Sequence, residues 1–275
     1  RLDIEGSANL ADPHASQLRH EVRADLRSVR YPIAGLRILL GDGITLGLAF
    51  RDKARLKLQL DTALVGTIDA FGLQIPASYT LTSSNVGVFI PRQVTLGARI
   101  ELFERRMTAT LDVGYEAWSA YETSVSLSTT NLDVQLPPGL PVTIPKNPEP
   151  TRLIPPNFHD RVVPRAGVEY QLPLTETIEV PLRAGYAYEV SPVPEQRGVT
   201  NFVDTDRHVL SAGTGLRLMR PVEELPGDVR LDGHVQWSIL PEKVTRKDNP
   251  ADFVGDYRAG GSILALGVTL GVGFP

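Results

Sequence analysis

The stretch Ile44-Thr-Leu-Gly-Leu-Ala-Phe-Arg-Asp-Lys-Ala-Arg-Leu-Lys-Leu-Gln-Leu-Asp61 decides the fold class. Its even positions run Ile44, Leu46, Leu48, Phe50, Asp52, Ala54, Leu56, Leu58 and Leu60. The odd positions between them are small or charged, among them Arg51, Lys53, Arg55 and Lys57. A helix of 3.6 residues per turn would scatter the four cations around its circumference. A strand, whose side chains alternate between two faces, keeps them together.

The same period returns along the chain. Val94, Leu96, Ala98, Ile100 and Leu102 alternate with Gln93, Thr95, Gly97, Arg99 and Glu101. Val162, Pro164, Ala166, Val168 and Tyr170 oppose Arg161, Arg165, Gly167, Glu169 and Gln171. Val229, Leu231, Val235, Trp237 and Ile239 oppose Arg230, Asp232, His234, Gln236 and Ser238. The last run sets Leu264, Leu266, Val268, Leu270, Val272 and Phe274 against Ala265, Gly267, Thr269, Gly271 and Gly273. Counting from Tyr31–Leu40 gives about nine such runs.

Strand length and loop asymmetry select a membrane. A tilted strand needs roughly 9–11 residues to span a bilayer, whereas soluble strands average about 5–6; the runs here reach the longer figure. Short polar turns at 41–43, 104–106, 173–176 and 220–227 alternate with long connections near 67–88, 119–158, 191–205 and 241–256. Together these features predict an all-β, antiparallel transmembrane barrel with short periplasmic turns and long extracellular loops over residues 28–275. Ahead of it, Asp12 as cap, Pro13 at the first turn and Leu18, Val22 and Leu26 four apart predict a short helix within 1–27.

Composition agrees. The mean hydropathy of -0.08 matches alternating lipid- and lumen-facing residues. No apolar run reaches about 18 residues, so no transmembrane helix is expected. A net charge of -4, from 28 basic and 32 acidic residues, argues against nucleic-acid binding. With no cysteine, thiolate metal sites, disulfides and cysteine nucleophiles are absent. The five histidines show no metal-ligand spacing, and no Gly-x-Ser-x-Gly elbow or phosphate loop occurs. No cofactor and no enzymatic activity are therefore expected.

Two motifs carry a family resemblance. Arg183-Ala-Gly-Tyr-Ala-Tyr-Glu-Val-Ser-Pro-Val-Pro194, with Asp206-Arg207 and Leu210-Ser-Ala-Gly213 downstream, resembles the C-terminal half of the FadL-type outer-membrane transporters. Asp112-Val-Gly-Tyr-Glu-Ala-Trp-Ser119, following Ile90-Pro91, is similar to another strand of that family, and Ile44–Arg51 to a strand before it. The resemblance covers roughly residues 30–275. It implies a fourteen-stranded barrel, plugged by an N-terminal hatch, that carries long-chain fatty acids or hydrocarbons by facilitated diffusion. The hatch, with its Asn-Pro-Ala element, and the early strands find no counterpart here, and the run count is odd. The sequence is accordingly expected to be part of a larger barrel.

Candidate ligand-binding residues are the inward cations Arg51, Lys53, Arg55 and Lys57, with Arg165, Arg183 and Arg207; Arg217 shares their phase. One reading is attraction of a carboxylate headgroup. The other is internal pairing with Glu101, Asp112, Glu116, Glu169 or Glu179; a third puts the first four above the bilayer. The apolar stretch Leu136–Pro145 suits either capture of a greasy substrate or packing over the mouth and against lipopolysaccharide. Tyr115, Tyr170, Tyr186, Tyr188 and Trp237 fall on the lipid phase as an interfacial girdle, and Trp118 on the lumen phase. The acidic loop residues Glu195, Asp204 and Asp206 offer oxygen ligands of the kind a calcium ion takes. The expected partners are a hydrophobic small molecule, outer-membrane lipid and lipopolysaccharide, around a monomer. A general diffusion porin is the alternative function, and an adhesive barrel a third.

Overall fold

The computed structural model describes residues 2–9, 17–22, 31–70, 72–122, 127–139, 143–144, 146–150, 154–219 and 227–273. These residues are almost entirely strand, and they fall into two compact units.

One unit is a nine-stranded antiparallel sheet. Its strands are β3 (Ile33–Leu40), β4 (Ile44–Arg51), β7 (Arg92–Leu102), β8 (Met107–Ala117), β10 (Arg161–Pro173), β11 (Ile178–Glu189), β12 (Arg207–Met219), β13 (Asp228–Thr245) and β14 (Tyr257–Val272). They lie side by side in the order β14-β13-β12-β11-β10-β8-β7-β4-β3. The other unit is a five-stranded sheet, ordered β2-β1-β5-β6-β9, of β1 (Leu2–Asn9), β2 (Gln17–Val22), β5 (Ala54–Ala70), β6 (Leu73–Ile90) and β9 (Leu127–Val134). Its β1–β5 pair is parallel, an exception in an otherwise antiparallel structure.

Register explains why the alternation works. One continuous row crosses all nine strands: Ile38, Leu46, Ala98, Leu111, Ala166, Tyr186, Leu210, Trp237 and Leu264 are successive cross-strand partners. The neighbouring row on the opposite face, Thr45, Arg99, Thr110, Gly167, Gly185, Ser211, Gln236 and Ala265, is polar or small. A slip of one residue in any pair would exchange the faces.

The apolar face is bare of protein. Leu264, Leu266 and Val268 are 64, 75 and 77% exposed, and Leu36, Leu96, Leu111, Val162 and Leu182 are exposed beside them. Buried hydrophobic residues among those described are few: Ala54, Ile75, Phe158, Val163 and Val193. Apolar surface on that scale needs a nonaqueous neighbour, and a sheet that offers its outside to lipid supplies the reason. Tyr115, Tyr170, Tyr186 and Trp237 are exposed on the same face, as the girdle reading requires.

Four expectations change. The run from Ile44 to Asp61 is not one strand. It breaks at Asp52–Lys53, where Asp52 turns its carboxylate to the Lys53 amide (2.8 Å) and to Arg92 (2.9 Å). The connection expected over 67–88 is largely strand β6, paired along its length with β5. With β1, β2 and β9, the described strands number fourteen rather than nine. The helix expected near the N-terminus meets a strand at Gln17–Val22, paired antiparallel with β1; Asp12, Pro13 and Leu26 lie outside the described residues. Spacing of four, as in Leu18 and Val22, satisfies both a helix face and a strand face.

The two-faced sheet makes a direct prediction. Leu266→Arg on the apolar face costs about 2–4 kcal/mol of stability in a bilayer. The adjacent Ala265→Arg, on the face of Gln236, costs about 1 kcal/mol or less. Urea titration of the protein folded into phosphatidylcholine vesicles measures both, and equal costs would contradict the face assignment.

Candidate functional site

The polar face of the nine-stranded sheet lines a concave hollow of about 660 Å³. Its wall carries Arg99, Asp112, Arg165, Glu169, Arg183 and Arg207, with Asp232 and His234 across from them. Each is placed by the register just described, every second residue of β7, β8 and β10–β13.

Most of these charges neutralise one another. Arg183 stands opposite Glu169 on the neighbouring strand and donates to it. Its Nη1 also reaches Asp232 at 2.5 Å, although Asp232 belongs to β13 and β12 runs between them. The crossing is open because β12 presents Gly213 and Gly215 there. A Cβ on Gly215 would sit 2.5 Å from the Asp232 carboxylate and 2.7 Å from the Leu231 carbonyl oxygen. Toward the short-turn end, Arg217 binds Asp228 (2.6 Å) and Glu179 (3.4 Å), and Asp228 also faces Arg230 at 3.6 Å. Toward the other end, Arg161 holds Glu116 at 2.7 Å and lies over the Trp118 ring at 5.8 Å. Arg99 pairs with Glu101 at 2.8 Å. Apart from Arg161–Glu116, whose glutamate is buried, these pairs lie partly in solvent and each contributes modestly.

Two cations on the wall differ. Arg165 faces Asp112 across the β10–β8 ladder but makes no ion pair or hydrogen bond among the described residues. The Asp112 carboxylate lies instead over Gly97, 2.2 Å from where a Cβ would be. Arg207 faces Glu189 only at 3.8 Å, too far for a hydrogen bond. Its Nε is buried without an acceptor.

The other expected residues are not part of this wall. Arg51 is exposed at the end of β4, and Lys53 is exposed in the break after it. Arg55 belongs to the five-stranded sheet and pairs with Glu122. Lys57, opposite Val86, sits where the β5–β6 register shifts. Arg51 and Lys53 thus belong to the nine-stranded unit, and Arg55 and Lys57 to the five-stranded one. Gly213 enters the sequence analysis only as the end of the Leu210–Gly213 motif, and Asp232 and Gly215 carry no role there; Gly-x-Gly on the polar phase of a strand is the available signal.

The Ser191-Pro-Val-Pro194 element and Asp206-Arg207 form one assembly. Asp206 accepts the Ser191 amide (2.9 Å) and the Tyr188 hydroxyl (2.8 Å), while Ser191 Oγ donates to Asp204 (2.9 Å). The Pro192 carbonyl accepts the His159 amide at 2.8 Å. Beside them Phe158 packs between Tyr121 and Phe202, with centroids at 5.1 and 5.0 Å. Asp204 and Asp206 are thus committed to protein donors, and Glu195 pairs with Arg197 at 2.6 Å. Among the described residues no group of three metal-ligating side chains gathers.

The donated hydrogen bonds, the Ser191 amide first, hold the Asp206 carboxyl below the usual aspartate range against a smaller opposing effect of burial. A depressed folded value stabilises the loop at pH above the unfolded value of about 3.9, and that stabilisation is lost as pH falls through the folded value. Protection of the 191–206 amides, taken relative to their intrinsic exchange rates, is accordingly high at pH 6 and falls as pH drops through the folded value. Asp206→Ala lowers that protection at pH 6; unchanged protection would count against the role of Asp206. Separately, Gly215→Ala costs about 1–3 kcal/mol through the Leu231 carbonyl and the displaced Asp232. The same change at Gly233, whose nearest contact is an ordinary 4.0 Å, costs less.

Comparison with known proteins places this architecture. A crystal structure of a Pseudomonas aeruginosa FadL homologue shares the fold, with a TM-score of 0.52 at 18% sequence identity, over 86% of this chain and 50% of that one. The chain spans about half the length of that homologue. No curated protein matches the sequence. The family model described as outer membrane protein transport protein (OMPP1/FadL/TodX) matches residues 6–268. The apolar outer face, the polar inner wall and this match agree: the chain belongs to the OMPP1/FadL/TodX family of integral bacterial outer-membrane β-barrel transport proteins.

Proposed function

We propose that the intact protein carries hydrophobic small molecules, long-chain fatty acids foremost and hydrocarbons besides, across the outer membrane by facilitated diffusion. The observation that supports this reading is the pair of cations without a hydrogen-bonded acceptor, Arg165 and Arg207, on a wall whose other charges are largely paired. A carboxylate entering the hollow gains charge-assisted hydrogen bonds there without displacing an existing hydrogen-bonded ion pair. Arg183 supports the wall through Glu169 and Asp232 and is not the first contact. Arg51, Lys53, Arg55 and Lys57 act outside this hollow, as long-range attraction for the anion.

In this reading residues 28–275 contribute barrel strands, with short turns in the periplasm, long connections outside, and residues 1–27 as a separate leading segment. Extracellular loops, including the apolar Leu136–Pro145 stretch, collect the substrate. The lumen wall then holds its headgroup, and movement of a plug releases it. The protein works as a monomer surrounded by lipid and lipopolysaccharide, and needs neither cofactor nor metal.

Uptake into proteoliposomes tests the assignment. Arg165→Met with Arg207→Met removes two charge-assisted hydrogen bonds of roughly 1.5–3 kcal/mol each, so saturable fatty-acid binding weakens about a hundredfold or more. Uptake of an uncharged alkane stays near wild type. Equal loss for both cargoes would overturn the headgroup role. The charged wall also suits a diffusion porin; large steady conductance steps in planar bilayers would favour it over a plugged transporter.

A further inference from the structure

We propose that the loop end of the β13–β14 hairpin is a lipopolysaccharide-binding surface, with Arg246 and Arg258 on lipid phosphate and Phe253 on the sugars above it. The inference rests on the orientation above, in which this end faces outward from the cell.

The argument begins with one side of β14. Val272, Leu270, Val268, Leu266 and Leu264 form an apolar column on the lipid-facing phase. The same phase continues through Ser262 and Gly260 to Arg258, which is 73% exposed and stands opposite the exposed Val244. Ser262 shares its cross-strand row with Ile239, His208 and Tyr188. That row lies two residues beyond the Leu264 row, which carries Tyr186 and Trp237 of the aromatic girdle, and a 2.9 Å hydrogen bond between the Tyr186 hydroxyl and the His208 ring joins the two rows. Arg258 lies four residues farther, about 13 Å along the strand and about 10 Å in depth after a barrel tilt of about 40°. A cation at that height meets headgroup phosphate rather than hydrocarbon.

The local charge is not spent within the protein. Arg197, Lys243, Arg246 and Arg258 line a shallow recess of about 260 Å³, with Glu195 as its acidic member. Glu195 is taken by Arg197. Asp252 and Asp256 accept backbone amides of the loop itself. Lys243 and Lys247 are folded back onto carbonyls of residues 193, 198 and 200, which leave their charge uncompensated. Arg258 has only a 3.5 Å contact with the equally exposed Glu242. Arg246 has no ion pair or hydrogen bond among the described residues. Guanidinium groups in this state suit bidentate phosphate recognition.

The hairpin tip adds a second chemistry. Phe253 is fully exposed, at 104%. It is held by an ordered turn: Asp252 accepts the Val254 and Gly255 amides at 3.0 and 3.2 Å, and Gly255 takes φ +70°. Above phosphate at the outer surface lie saccharide rings, whose C–H faces pack on an aromatic ring. An outer leaflet of glycolipid is the single partner that supplies hydrocarbon, phosphate and sugar in this vertical order.

The test uses the intact protein in detergent, with thermal unfolding followed as purified lipopolysaccharide is added. Wild type gains several degrees, and the Arg246→Ala/Arg258→Ala double variant loses most of that gain while keeping its basal unfolding temperature. Phe253→Ala loses part of it. Chemically dephosphorylated lipopolysaccharide and millimolar inorganic phosphate each give little gain. Equal stabilisation of wild type and the double variant overturns the proposal, as does full stabilisation by the dephosphorylated lipid or by phosphate alone. Orientation is read separately from F253C, with any other cysteine of the intact protein replaced. An impermeant maleimide labels it on whole cells. Labelling only after lysis overturns the orientation and the proposal with it; labelling without a lipopolysaccharide effect overturns the proposal alone.

Discussion

The row of side chains from Ile38 through Leu46, Leu111, Tyr186, Leu210 and Trp237 to Leu264 can stand only against hydrocarbon. In water it would expose more apolar surface than the few buried residues among those described offset. In a bilayer the same row is solvated, and the cost moves to the backbone, whose amides and carbonyls must find partners within the sheet. Continuous antiparallel pairing meets that demand throughout the sheet except at the outer edges of β14 and β3. Short-turn hydrogen bonds such as Glu101 N to the Gly43 carbonyl (2.7 Å) and Gly273 N to the Asp228 carbonyl (2.8 Å) extend the pairing to strand ends.

Once the outside is fixed as apolar, the polar phase must face inward, and its charges must be managed without a dry core. The wall does this by pairing across one strand, as in Arg161–Glu116, or across two, as in Arg183–Asp232. Glycine makes the second kind work, since Gly213 and Gly215 leave the surface of β12 clear beneath the bridge. Other long side chains use the same device: the His234 ring lies over Gly267, and Asp112 over Gly97. The glycines of these strands are therefore part of the electrostatic design, although they weaken intrinsic strand preference. Against this background Arg165 and Arg207 stand out as cations without a hydrogen-bonded acceptor among the described residues.

Much of the nine-stranded sheet was legible because alternation is a local signal. Strands β7, β8 and β10–β14 fall where the period of two places them, and Tyr115, Tyr170, Tyr186 and Trp237 fall on the lipid side. The five-stranded sheet was harder. In β6, the run Thr80-Leu-Thr-Ser-Ser-Asn85 is polar on both phases, so it carries no alternation to detect. The break at Asp52–Lys53 was invisible for the opposite reason: alternation continues through it, and Arg92, forty residues away, helps hold Asp52 in its turn. The same limit applies to the site. Arg165 and Arg183 share an inward phase, and nothing local separates them. Register sets Arg183 against Glu169, whereas Asp112, facing Arg165, settles over a glycine instead.

The central claim is that one face of the sheet lies in hydrocarbon and the other does not. Trp237 reports on it directly, since it sits within the apolar row and is exposed from the protein. With all other tryptophans replaced by phenylalanine, its fluorescence in reconstituted vesicles is measured against brominated phospholipids and against aqueous acrylamide. Strong quenching by the brominated chains with little by acrylamide is the predicted result. Strong acrylamide quenching with no effect of brominated lipid would contradict the account.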